Sequence, residues 1–393
     1  MRPARVFALL LVAAVGLCSA ADGDKPKPKP AGELPEIKEL PNPFTFGDGT
    51  AVRTKEDWAK RRDEIKNLFQ DYEYGHLPPK PKMTVTRGDA STDEAAKVTM
   101  QQLTLKLEHE TNAITMRVTV AWPSEAKAAV PVLLQPSFSF GPPKAPSAKS
   151  FATFTKRGIA VAQFSLTDAA PDNKRTGGVY KLYGDKIDCG NLMAWGWGFH
   201  RVLDALEGVK EIDAKKAIVT GHSRYGKAAL VAGAFDERIA LTVPSHSGAG
   251  GSAPYRLIYA KNEELKNISG AFPNWSHPDF KQFNDKVARL PVDQHLLMAL
   301  VAPRALLQPE GTQDTWTNPE GVQQTFAAAK QVYEFLGAAD RINIRYRPVG
   351  HIPSNDDLLD YADFVFNKKP LSEAFGKFEY KEDKKAFSWG APK

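Results

Sequence analysis

Three residues have the types and the chain order needed for acyl transfer through an activated serine: Ser223, Asp314 and His351. A serine hydroxyl is a weak nucleophile until a base takes its proton, and that base must be oriented by a further group. Ser223 lies in Gly221-His-Ser-Arg-Tyr-Gly-Lys227, between the apolar run 216–220 and the small-residue run 228–235. This pattern predicts a strand, a tight glycine-flanked turn and a helix, the context in which a serine is presented to an ester. It departs from strict G-x-S-x-G, because Tyr225 stands two residues after the serine and Gly226 comes one later.

His351 follows an expected strand at 342–347 through Pro348-Val-Gly350 and precedes a helix, so it leaves the carboxyl end of the last strand. Among the eight histidines, His76, His109 and His200 lie upstream in surface or helix contexts, and His222 adjoins the serine and is not expected to reach back to it. His246, His277 and His295 follow the serine but are weaker competitors for the base. The acid is sought on the loop 308–318, where Asp314 is favoured over Glu310 because it stands further out; Glu320 is the third choice. Its task is to fix the histidine tautomer and stabilise the imidazolium. Arg224 would offer a backbone N–H at a helix start and a guanidinium to a developing oxyanion. A cation at a helix N-terminus opposes the helix dipole, which calls for an anion nearby.

The elements that must position these residues are legible as periodicity. Residues 54–69 read as an amphipathic helix capped by Thr54, with Trp58, Ile65, Leu68 and Phe69 on its apolar side. Segments 83–87, 96–107 and 113–121 alternate with period two and predict an antiparallel meander. From Val130 the pattern changes to short apolar runs at 130–134, 159–163, 217–220, 239–243, 305–308 and 342–347. Helices are expected at 191–207, 224–235, 319–336 and 355–366. Such alternation predicts an α/β three-layer sandwich, a mostly parallel sheet with helices on both faces.

The first 20 residues read as a signal peptide: basic Arg2 and Arg5, an apolar run from Val6 to Leu17, and small residues at 19–21. A lipid anchor on Cys18 is the weaker reading, since Leu17 precedes it. With Cys18 removed, Cys189 is the one remaining thiol, expected as a small buried residue, and no disulfide can form within the chain. Residues 21–40, with Lys25-Pro-Lys-Pro-Lys-Pro30, are expected as a solvated, disordered linker, 41–372 as the catalytic domain and 373–393 as a tail. The formal charge of +6 is spread without an aromatic-interleaved basic cluster, so nucleic acid is not expected as a partner. No run after the leader is long enough to cross a membrane.

The elbow together with Ser247-Gly-Ala-Gly-Gly251, Phe272-Pro-Asn-Trp275, Leu290-Pro-Val-Asp-Gln-His295 and Ala302-Pro-Arg304 resembles the glucuronoyl esterases of carbohydrate esterase family 15, over roughly 41–366. Asp48-Gly-Thr50 and Tyr74-Gly-His76 extend the likeness toward the N-terminus. The resemblance implies an α/β-hydrolase with a Ser-His-acid triad, no metal and no cofactor, acting on the ester between glucuronic acid of xylan and alcohols of lignin. It implies Ser223 as nucleophile, His351 as base and Arg224 as oxyanion stabiliser. It further implies sugar contacts from Lys227, Trp316 and a glutamate in Lys261-Asn-Glu-Glu264, taken as Glu263 although the register leaves Glu264 open. Two positions depart from the family pattern: His222 replaces a cysteine, and His246 stands where many members carry the catalytic glutamate. Some bacterial members place the acid in a segment like Gln313-Asp-Thr-Trp316, which favours Asp314, with His246 near the site and grouped with the substrate contacts. The expectation is a monomeric, secreted or periplasmic serine esterase acting on (4-O-methyl-)glucuronate esters of glucuronoxylan or lignin-carbohydrate complexes. An acetylxylan or other carbohydrate esterase, and a catalytically weak carbohydrate-binding protein on the same fold, are the alternatives.

Overall fold

The computed structural model describes residues 27–137 and 146–392; the expected leader at 1–20, with Cys18, lies outside them. The strands are β1 (Lys82–Arg87), β2 (Ser91–Asp93), β3 (Val98–His109), β4 (Asn112–Pro123), β5 (Val130–Pro136), β6 (Ala160–Phe164), β7 (Ile212–His222), β8 (Ile239–Ser245), β9 (Ala305–Gly311) and β10 (Ile342–Arg347). The α-helices are α1 (Lys55–Phe69), α2 (Ala148–Thr155), α3 (Gly178–Tyr183), α4 (Asn191–Leu206), α5 (Arg224–Phe235), α6 (Leu265–Ala271), α7 (Gln294–Ala299), α8 (Pro319–Leu336) and α9 (Asn355–Asn367).

One sheet runs in the order β1-β3-β4-β6-β5-β7-β8-β9-β10, with β2 added to β3. The alternating segments form its antiparallel end, where β3 and β4 pair from Val98↔Pro123 to His109↔Asn112. From β6 onward every pairing is parallel. Successive residues of a strand face opposite sides, so a strand covered on both must be apolar throughout. Val132, Leu134, Ala217, Val219 and Leu306 accordingly pack with α4, α5, α7 and α8. Leu133, Ile218, Leu241, Ala305 and Leu307 pack with α2 and α9 on the other side.

Thr54 caps α1 as expected, its hydroxyl accepting from Asp57 N at 3.1 Å while Asp57 reaches back to Thr54 N. The thiol of Cys189 is buried, and burial pushes it up to about 12, which leaves it protonated and inert.

Two expectations about the ends need correction. The linker expected over 21–40 is packed from Ala31 on: Leu34 and Leu40 are buried, and Ile37 N and Leu40 N donate to Ala288 O and Ala386 O. The expected tail at 373–393 is held down, because Trp389 donates its indole N–H to Leu40 O and Ala386 is fully buried. Apolar residues interrupting a polar, proline-rich stretch are what anchor it.

Candidate active site

Four parallel strands deliver one side chain each at their carboxyl ends: Ser223 follows β7, His246 follows β8, Asp314 lies beyond β9 and His351 beyond β10. Open parallel sheets place their ligand sites at this edge. Ser223 occupies φ 60°, ψ −128°, a conformation that costs a non-glycine residue on the order of 1–3 kcal/mol. Its N–H donates to Ser245 O at 3.0 Å and its carbonyl accepts from Gly226 N at 2.8 Å, so β8 and α5 hold the turn from both sides. The displaced glycine is explained by packing. A Cβ on Gly221 would lie 2.1 Å from Tyr225 O, and one on Gly226 would lie 2.8 Å from Ser245 O. Both glycines let the helix approach the strand ends, while Tyr225 turns its ring edge-on to Trp195.

His351 Nδ1 lies 2.6 Å from Asp314 Oδ2, and His246 Nδ1 lies 2.9 Å from the same oxygen. An ionised carboxylate only accepts, so both histidines present Nδ1–H to it. His351 is then left with an Nε2 lone pair, the tautomer a general base needs. Burial opposes ionisation of Asp314, yet the bonds from His246 and His351 outweigh it and hold the carboxyl well below the usual carboxylate range. Glu310, the second choice as acid, is bonded elsewhere: Gln308 Nε2 donates to its Oε1 at 2.7 Å. Burial, reinforced by the charge of Asp314, pushes Glu310 well above that range. Glu320 opens α8.

His222, beside the serine in sequence, adjoins the base in space. Its ring centroid is 4.2 Å from that of His351 and 5.3 Å from that of His246. Burial foremost, then the neighbouring histidines, lower it to about 4, so it packs as a neutral ring at neutral pH. His246 lines the cleft, as its grouping with the site residues expects, with its side chain buried and its Nδ1 bonded to Asp314. Among the described residues, His246, Asp314 and His351 are the group whose ligand atoms converge within 4.8 Å, as a metal would require. Here they converge through two N–H···O bonds that an ion would have to break.

The surrounding cleft, of about 620 Å³, is lined by Ser223, Arg224, Lys227, Glu263, Trp316 and His351 among others. Arg224 meets the anion its position called for: Nη1 donates to Asp172 Oδ2 at 2.5 Å, and Trp275 Nε1 donates to Asp172 Oδ1 at 2.7 Å. The guanidinium carbon lies 5.0 Å from the ring centroids of Phe272 and Trp275, which stack on one another. Lys227 is no solvated helix residue; it is only 3% exposed, and Nζ donates to Glu263 Oε2 at 2.7 Å and to Ala249 O. The pairing with Lys227 singles out Glu263, whereas Glu264 caps α6. Trp316 is 48% exposed at the cleft wall. Asp172 escaped the sequence reading, and nothing local marks it.

A sharp strained turn between strand and helix, followed by an acid and a histidine at later strand ends, defines an α/β-hydrolase. Residues 105–337 match the family model described as "Glucuronyl esterase, fungi". The 4-O-methyl-glucuronoyl methylesterase of Cerrena unicolor is 36% identical over 77% of this chain and 63% of its own length. That of Schizophyllum commune is 34% identical over 85% of this chain and 82% of its own. A carbohydrate esterase family 15 glucuronoyl esterase from Caldicellulosiruptor kristjansonii superposes with a TM-score of 0.79 at 36% identity, covering 92% of this chain and 99% of that one. A Sporotrichum thermophile glucuronoyl esterase in complex with methyl 4-O-methyl-β-D-glucopyranuronate gives 0.75 at 26% identity, covering 91% and 95%. The chain belongs to the glucuronyl esterase family.

Proposed function

We propose that this protein is an exported, monomeric serine esterase that hydrolyses esters of glucuronic or 4-O-methylglucuronic acid, releasing the alcohol and the free uronate. The observation that carries the reading is a single cleft lined by Ser223, by the bonded His351–Asp314 pair and by the buried Lys227–Glu263 pair. The first set supplies acyl transfer. The second presents a charged donor and acceptor suited to the hydroxyls of a sugar. Named relatives that act on 4-O-methyl-glucuronoyl methyl esters support the choice of acid.

In this reading Ser223 Oγ adds to the uronate carbonyl as its proton passes to His351 Nε2. The carbonyl oxygen becomes an oxyanion next to Arg224, whose backbone N–H and guanidinium offset its charge. The imidazolium, steadied by Asp314, returns the proton to the departing alcohol and leaves an acyl-enzyme. Water, deprotonated by the same histidine, then releases the uronate and restores Ser223.

Purified protein lacking residues 1–20 should turn over benzyl glucuronate far faster than an acetylated xylo-oligosaccharide, and Ser223→Ala should abolish turnover while remaining folded. Preference for the acetyl ester would replace the uronate reading by an acetylxylan esterase. Binding of the uronate ester without turnover would leave a carbohydrate-binding protein. Light scattering checks the monomer, and the N-terminal sequence of exported protein checks the leader.

A further inference from the structure

We propose that His246 is a positioning residue for Asp314: from the position after β8 it supplies a second N–H bond to the oxygen that orients His351, and so sets how strongly the carboxylate acts on that base. The inference rests on the triad reading of Ser223, Asp314 and His351.

The placement is built from three directions. His246 adopts φ 48°, in the left-handed region, and is fully buried. Its backbone N–H reaches Pro309 O on β9 at 3.3 Å, beyond the last β8–β9 pair, Thr242↔Leu306. Gly311 leaves the space: a Cβ there would stand 2.9 Å from His246 Cε1 and 2.4 Å from Val349 O, so ring and histidine loop meet across a missing side chain. Gly311 O in turn accepts from Asp314 N at 3.0 Å, which fixes the acid between the two rings.

The second donor has an electrostatic consequence. Asp314 Oδ2 is shared, so its charge is divided between His246 and His351 instead of resting on His351 alone. The proton-binding groups facing this carboxylate are His246 after β8, His351 after β10, His222 at the end of β7 and Glu310 on β9, with Lys227 of α5 behind Glu310. His246 Nε2 has no hydrogen-bond partner among the described residues, so the ring's one side-chain hydrogen bond is the one to Asp314.

The test compares His246→Leu with His246→Asn, whose amide nitrogen stands close to where Nδ1 stood. In His246→Leu the full charge of Asp314 falls on His351. The acid limb of kcat/KM for benzyl glucuronate should move to higher pH, and kcat should fall about tenfold, the scale of one charge-assisted hydrogen bond. KM should stay within about twofold, because the Lys227–Glu263 pair is untouched. His246→Asn should restore most of kcat and return the limb toward wild type. An unmoved limb in a folded Leu variant, a change in KM alone, or an Asn variant as impaired as the Leu variant would overturn the assignment. Should the Leu variant not fold, proton spectra of histidine-labelled protein still decide. Wild type should show two downfield Nδ1 protons and His246→Asn one, and a single such proton in wild type would refute the shared bond. Failure of the esterase reading itself would appear as a wild-type protein inactive on the uronate ester.

Discussion

Asp172 holds Arg224 by its guanidinium, tying the residue after the strained serine to the segment between β6 and α3. The carboxylate is anchored at its other oxygen by Trp275, whose ring also faces the guanidinium. Both partners are about one-third exposed, so the pair adds little to stability, and its value lies in aiming the cation. Asp172→Asn should lower kcat/KM on benzyl glucuronate by about tenfold, mostly through kcat, with unchanged thermal stability. Trp275→Phe should fall between this variant and wild type. Steady-state kinetics on the three proteins checks the order, and wild-type rates in Asp172→Asn would show that the guanidinium aims itself.

Asp314→Asn keeps the size of the side chain but turns one acceptor into a donor opposite two imidazole N–H groups. By analogy with other triads, kcat should fall by about three to four orders of magnitude, with KM little changed. Since the Asp314 carboxyl is held well below the usual range, it stays ionised through mildly acid pH. The acid limb of the wild-type pH–rate profile should therefore carry no protonation of this carboxylate.

Gly311→Ala should be damaging in proportion to its crowding. The new methyl would collide with the backbone oxygens of Val349 and Gly350 and with the His246 ring. Overpacking of this kind costs on the order of 1–3 kcal/mol. Since every displaced group adjoins Asp314 or His351, activity should fall further than the denaturation midpoint implies. A destabilised variant with normal turnover would show that the histidine loop can shift without harm.

Glu73 gives a stability prediction away from the chemistry. It is fully buried, accepts from Tyr255 Oη and Gln294 Nε2 at 2.9 Å each, and is pushed up to about 7 by burial. An unfolded glutamate ionises near 4.5, so between about 4.5 and about 7 the folded state holds the extra proton. Its contribution to stability is therefore lost as pH rises through that window. Glu73→Gln cannot ionise and escapes the loss. Its stability relative to wild type should grow by roughly 3 kcal/mol from pH 4.5 to pH 7 and level off above. Urea unfolding at pH 4.5, 6 and 8 measures this, and a pH-independent difference would show that Glu73 is ionised in the fold.

How far the sequence could be read depended on the range of the signal. β10 matches its apolar run from end to end, and the period-two segments became the antiparallel end of the sheet. β7 is longer than expected, since Ile212 lies upstream of a polar stretch with exposed lysines that hides the strand from a hydrophobicity reading. The short helices α2, α3, α6 and α7 were missed because six to eight residues give too little periodicity to register. At the site, strand order pointed from Ser223 to Asp314 and His351, and the structure brings Asp314 and His351 into contact. What the chain did not disclose are pairings between residues far apart in sequence: Asp172 with Arg224, and the tilted ring contact of His222 with His351. Asp172 lies in no pattern, His222 stands in the serine turn with nothing there to mark its partner, and only the fold makes these pairs neighbours.

The clasp between Leu40 and Trp389 makes the two ends of the described chain answer for one another. Trp389 also sets its ring against Phe44, which in turn meets Trp58 and Phe335. Fraying on either side would loosen the other and lay open an aromatic seam shared by α1 and α8. The earliest partial opening of this enzyme is thus expected to be an unclasping, visible as a change in tryptophan emission before the cleft itself is disturbed.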